Sequence, residues 1–312
     1  MVHVMNQNRA AVLSLAAAGV LWGLSVPLSK LSLAWLTPGW LTAVRFAAAT
    51  PLLAFAGRRG LRQALTPRIA VSGAIGFGAV IMLQNAGIEH TSVSHAAVLV
   101  GAVPLLVALI AAGLGQSSTR ALTWVGYGLA LAGIAFVAGH AGSGATGPGD
   151  LLVLGSAALS AAFIAVQPRM LAGRDATAVT AVQFAAGALV ALPIAALTEG
   201  APHTPAHAGS VLAVAALSLA GSLAFPLFAF GQARVPAELA GAFVNLEPVV
   251  GVAVGWIAFG DSAAIGQLFG AAAVLLGMAL STVPPDDWAR WTAGWQVRLP
   301  HGLRVLTSQR GR

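Results

Sequence analysis

Glu247 stands next to Pro248 in the middle of an apolar run. An ionised carboxylate at such depth in a bilayer costs a few kcal/mol or more unless it is paired or hydrated. A carboxylate kept there suits a partner for a substrate amine, a proton-coupling site, or a structural hydrogen bond between helices. Pro104 occupies the matching place in an earlier run. Proline lacks the backbone donor and clashes with the carbonyl four residues back. The carbonyls of Val100 and Val244 then need other partners, and in a membrane these are protein or the water of a cavity. A packing kink is the other reading of both prolines. Arg45, about a third of the way along its segment, reads either as a binding group or as a snorkelling anchor or inter-helix lock. His95 reads as a titrating gate or a packing residue. Gln84, with Asn85 beside it, could feed the same cavity. Trp22, Ser25 and the aromatic set Phe225, Phe228 and Phe230 could line its wall or fill a core. Lys30 reads as a snorkelling side chain at a helix end.

These residues need elements to hold them, and the composition says which. Of 312 residues 58% are apolar and only 8% charged, against about 25% charged in soluble domains. So few charges cannot coat a globule of this size in water. Ten apolar segments fall at 11–31, 38–57, 69–88, 93–114, 122–139, 149–168, 177–197, 209–231, 236–258 and 263–283. Each is of spanning length. The expected fold is an all-α membrane protein of ten transmembrane helices. The first segment follows Arg9, lacks a small-residue cleavage site and precedes nine more spans, so it reads as an uncleaved helix.

Charge placement orients the spans. With the N-terminus in the cytoplasm, fourteen of the sixteen basic residues lie on the inner side, including Arg58, Arg59, Arg62 and Arg68. Glu89, Asp150, Glu199 and Asp261 fall at outer ends. This is the positive-inside distribution. Both termini are then cytoplasmic.

The chain repeats itself. Thr42-Ala-Val-Arg-Phe-Ala-Ala48 matches Thr180-Ala-Val-Gln-Phe-Ala-Ala186 at an offset of 138. Beyond the longer loop after the seventh segment the offset is 144, which carries Gly87, Pro104, Gly126 and Gly133 onto Gly231, Pro248, Gly270 and Gly277. The organisation expected is a cytoplasmic N-terminus (1–10), a first repeat (11–140), a second repeat (149–283) and a cytoplasmic tail (284–312). Each repeat has five helices. Five is odd, so the second enters the membrane inverted, a common build of secondary transporters. Neutral Gln183 replaces Arg45 in the second half. The glycine pairs spaced by seven, and the Gly251/Gly255 pair, read as close helix contacts, within the chain or in a homodimer. Trp288, Trp291 and Trp295 suggest an interfacial helix in the tail, with a disordered basic tail as the alternative.

Several chemistries are disfavoured. There is no cysteine, hence no disulfide or thiolate metal site. No Walker A sequence points to ATP-driven transport, and no H-E-x-x-H points to a zinc hydrolase. The scattered arginines form no nucleic-acid stripe. No cofactor or metal is expected.

In order along the chain, Leu21-Trp-Gly-Leu-Ser-Val-Pro-Leu-Ser-Lys30 with Arg45-Phe46, the run from His95 to Pro104, Gly126 to Gly133, and Asn245-Leu-Glu-Pro248 followed by Gly270 and Gly277 resemble the EamA-type, ten-helix members of the drug/metabolite transporter superfamily. The match covers about residues 15–282. The acidic residue often found after helix four is Gln116 here, while Asp261 follows helix nine. The resemblance implies an inner-membrane carrier, many members exporting amino acids or related metabolites. The substrate would then sit between the halves near Pro104 and Pro248, with Glu247 leading and Glu247 or His95 open to proton coupling. A multidrug exporter is the second reading. An intramembrane enzyme and a scaffold are the remaining ones: the first lacks a catalytic set, and the second has no use for broken mid-helices.

Overall fold

The computed structural model describes residues 2–113, 121–139, 147–232, 243, 246–261 and 265–282. Gln116, Asn245 and the whole tail, with its tryptophans, lie outside the described residues.

The described chain is helical, with no strand among the described residues. Helix α1 runs as Val2–Gly23 and, after a turn at Leu24, Ser25–Ser32. Helix α2 is Pro38–Ala56. Helix α3 starts as Pro67–Gly73, widens into a π-turn at Ala74–Ala79 and resumes as Val80–Glu89. Helix α4 is Val93–Val100 and Val103–Gly113. Then follow α5 (Ala121–Gly139), α6 (Gly147–Leu171), α7 (Ala176–Thr198), α8 (Ala208–Gln232), α9 (Leu246–Ala258) and α10 (Ile265–Thr282). Six of these, α1, α2, α3, α6, α7 and α8, contain stretches long and apolar enough to cross a membrane. The described parts of α4, α5, α9 and α10 supply shorter apolar helices. Large apolar side chains such as Leu13, Phe55, Leu189, Leu197, Ile257 and Phe269 face outward. Such a surface is stable in lipid.

Which helices pack together reveals the symmetry. The principal pairs are α2 with α7, α5 with α10, α4 with α9, α1 with α8 and α3 with α6. Next come α3 with α7, α2 with α8, α4 with α6 and α1 with α9. Exchanging each helix for the one five places along returns the same set. The self-equivalent pairs run antiparallel: Gly39 at the start of α2 meets Glu199 after α7, and Gly57 after α2 meets Ala178 at the start of α7. An exchange that superposes antiparallel helices is a twofold axis across them, so the two halves are inverted.

Equivalent glycines make equivalent contacts. A Cβ on Gly87 would lie 2.6 Å from the Val153 side chain and 2.9 Å from the Gly149 carbonyl. A Cβ on Gly231 would run into the Leu15 side chain and lie 2.9 Å from the Ala11 carbonyl. Both offsets read from the sequence, 138 for the partners and 144 for the glycines, are thus met in one joint. Gly133 would meet the Gly270 carbonyl at 2.6 Å, and Gly277 meets Gly126 in the same way. Without lipid-excluded water to drive association, helices gain from such close backbone approach. Gly251 packs on Ala97 and Gly255 on Ser94. These glycines are occupied within the chain.

One end of the bundle is laced by polar side chains. Lys30 Nζ donates to the carbonyls of Ile88, Glu89 and Thr91 at 2.8–2.9 Å, where a cation meets the negative end of α3. Glu199 accepts from Thr37 Oγ1 and from the Gly39 and Trp40 amides. It therefore caps α2, whose Pro38 needs no donor partner. Asp261 accepts from the Ser94 amide and hydroxyl at 2.7 and 2.8 Å and caps α4. Gly200 and Gly260, with φ of 76° and 65°, turn the chain beside two of these carboxylates, a conformation that side chains resist. At the other end Arg58, Arg59 and Arg68 are exposed.

Candidate functional site

The middle of the bundle is where helices break. Helix α4 stops at Val100, turns through Gly101 and Ala102, and restarts at Val103. Pro104 is the second residue of the new helix, a position that lacks an intrahelical donor partner in any case. The break expected from Pro104 is therefore present, three residues ahead of it. Described α9 begins at Leu246, and Glu247 and Pro248 fall in its first turn. Pro248 is buried against Gly101, where a Cβ would lie 2.5 Å from its own. The break in α4 thus packs against the first described turn of α9.

Glu247 is partly buried and deep in the protein. Its carboxylate has no hydrogen bond or ion pair among the described residues. Its backbone carbonyl faces Gly23 of α1. On the neighbouring turn, Trp22 meets Phe225 edge-on (5.5 Å between ring centroids) and Phe228 tilted (5.1 Å). Phe225 continues to Phe77 and Phe184, which join Phe46 and Phe163. Seven rings from six helices thus form one run through the bundle. Each pair contributes about 0.5–1.5 kcal/mol beyond its burial. Trp22, Phe225 and Phe228 were named from sequence as possible wall residues, but Phe46, Phe77, Phe163 and Phe184 were not. Their only sequence signal was the TAV-x-FAA repeat, which holds two of them. Phe77 is carried by the π-turn, and such turns gather at functional sites.

Arg45 is also deep and partly buried. Its guanidinium lies 5.0 Å from the Phe46 ring and faces Gly221 of α8. It makes no hydrogen bond or ion pair among the described residues. The equivalent Gln183 differs. It is fully buried, donates to Ser72 Oγ at 3.0 Å and exchanges hydrogen bonds with Gln167 at 2.9 Å.

The remaining candidates lie elsewhere or do other work. His95 is buried, with Nδ1 3.2 Å from Asp150. Asp150 also accepts from Thr91 Oγ1 at 2.6 Å. This cluster ties α4 to α6. Asp150 was read from sequence only as an end charge. Asn85 is buried and donates to Thr42 Oγ1 at 3.0 Å, an α2–α3 tie. Gln84 is partly buried and makes no side-chain hydrogen bond among the described residues. Lys30 caps α3, and the side chain of Phe230 is exposed. A separate apolar groove of about 580 Å³ lies between α3 and α6, lined by Val71, Ile75, Phe163 and Met170 with Arg68 at one end. No group of His, Asp or Glu that could hold a metal occurs among the described residues.

The interior therefore holds one carboxylate and one guanidinium without polar partners among the described residues, an aromatic run and a break in α4 that packs against the first described turn of α9. That arrangement offers a small molecule charged and aromatic contacts.

One comparison gives the family. The model of the EamA-like transporter family matches residues 9–139 and again 147–283. No curated protein matches the chain. A solved crystal structure whose description names no function aligns with a TM-score of 0.66 at 22% identity. The alignment covers 91% of this chain and 99% of the other. At that identity it speaks to fold alone. With the family model matched once by each inverted half, this multi-pass membrane protein belongs to the EamA-like transporter family.

Proposed function

We propose that the chain is a secondary carrier of the bacterial inner membrane that exports amino acids or related small metabolites by alternating access. Both termini are cytoplasmic in this reading, as the arginine distribution requires. The observation that carries it is Glu247, a deep carboxylate with no polar partner among the described residues, in the first described turn of α9 where it packs against the break in α4. A group that costs this much to bury is retained for a ligand or a proton. Glu247 takes the amine of the substrate or the coupling proton, and the aromatic run supplies the wall. The acidic end of the bundle is the outer one, and the closure there is made by Glu199, Asp261 and Lys30.

The aromatic run also gives the second reading, a multidrug exporter, a specific support. Seven connected rings suit flat hydrophobic cations as well as metabolites.

The test is untargeted mass spectrometry of the medium from cells that overproduce the chain, its Glu247→Gln variant, or neither. Selective build-up of an amino acid or derivative with the native chain, and not with the variant, supports the first reading. No such metabolite, together with raised resistance to hydrophobic cations, favours the second.

A further inference from the structure

We propose that Arg45 is the receptor for an anionic group of the transported molecule, so that the substrate carries a carboxylate or another compact oxyanion. This deepens the carrier reading and rests on it. Arg45 lies two turns into α2, and a snorkelling side chain there would aim back toward Pro38. Instead its tip faces Gly221, midway along α8, so it points into the bundle. Gly221 leaves the approach open, because even a Cβ added there would lie 3.9 Å from the guanidinium. One face of the guanidinium is covered by the Phe46 ring at 5.0 Å. Its edge, which carries the donors, has no acceptor among the described residues.

The repeat supplies an internal control. At the equivalent place Gln183 is closed off by Ser72 and Gln167. The fold can therefore satisfy a polar group at this position with its own side chains, and in the first half it does not. A planar fork of donors left open in a water-poor interior selects planar oxyanions by paired, charge-assisted hydrogen bonds. Arg45 and Glu247 sit at different stations of the aromatic run. Gly221, opposite Arg45, and Phe228, which meets Trp22, are two turns apart on α8, about 10 Å by helix rise. The anion site is thus distinct from the carboxylate.

The test is thermal melting of the purified full-length protein in lipid nanodiscs, for the native chain, Arg45→Lys and Arg45→Gln. The probes are the twenty L-amino acids, their methyl esters, succinate and pyruvate as amine-free carboxylates, and glycerol 3-phosphate. The expected result is stabilisation by at least one oxyanion probe, with its ester or amine-only analogue inactive. Arg45→Gln weakens that binding by roughly tenfold or more, and Arg45→Lys by less. If Arg45→Gln does not fold, the loss in Arg45→Lys carries the comparison. The proposal is overturned if no oxyanion outperforms the esters, or if the Arg45 variants bind the oxyanion as the native chain does. Binding by amines alone, lost in Glu247→Gln and kept in the Arg45 variants, overturns the anion site and leaves the carrier reading standing. Arg45-dependent binding of an oxyanion that proteoliposomes fail to transport upholds the site and removes the carrier reading. Glycerol 3-phosphate against the carboxylates tells the two oxyanion sources apart.

Discussion

Pro248 of α9 rests in the space left by Gly101 of α4, where a side chain would come within 2.5 Å of the proline Cβ. The contact joins the break in α4 to the first described turn of α9.

Gly101→Val is therefore expected to lower the melting temperature of the purified protein by several degrees, as overpacking a tight joint costs about 1–3 kcal/mol. Gly128→Ala and Gly209→Ala are the controls, since nothing among the described residues lies within 4 Å of a Cβ at either. Equal melting of Gly101→Val and the controls would contradict the joint. Differential scanning fluorimetry in detergent is sufficient to read the difference.

His95 and Asp150 act as one unit with Thr91. Replacing Asp150 by Asn removes the charge and leaves a single acceptor oxygen for both the Thr91 hydroxyl and the buried His95 ring nitrogen. A loss of about 1–3 kcal/mol is expected. The double variant His95→Asn/Asp150→Asn should lose clearly less than the sum of the single losses. Additive losses would mean that the residues contribute separately.

Glu199 holds the start of α2 through three donors. Glu199→Ala is expected to cost about 0.5–2 kcal/mol, as for a lost cap. Amide exchange should quicken at Gly39 and Trp40 before it does in the core of α2. Unchanged exchange at those amides would remove the capping role.

The absence of native cysteine allows a direct test of orientation. Cysteine at exposed Arg59 should react with an impermeant maleimide only in inverted vesicles, and cysteine at exposed His203 only in intact cells whose outer membrane has been permeabilised. The reverse pattern would invert the assignment of the two ends.

The repeat was legible because close helix packing demands particular residues at particular places. Gly87 and Gly231 had to be glycine to admit Val153 and Leu15, so two offsets in the sequence marked one joint used twice. The break in α4 was legible through Pro104, since proline perturbs a helix whatever its surroundings. The carboxylates were harder. Glu199 and Asp261 cap helices about 160 residues away in the chain, and no local spacing announces that. Asp150 looked like a terminal charge until α6 brought it to His95. The aromatic run escaped because its seven members come from six helices, and only the fold brings them into line. The π-turn at Ala74–Ala79 also left no mark, since its Gly-rich stretch reads equally well as ordinary packing.

The central claim is that Glu247 serves transport and not assembly. The most direct measurement is counterflow in proteoliposomes of whichever labelled metabolite the overproducing cells release, for the native chain and for Glu247→Gln inserted in equal amounts. The account predicts a several-fold loss of flux with melting temperature and reconstitution unchanged. Native flux in Glu247→Gln would contradict it.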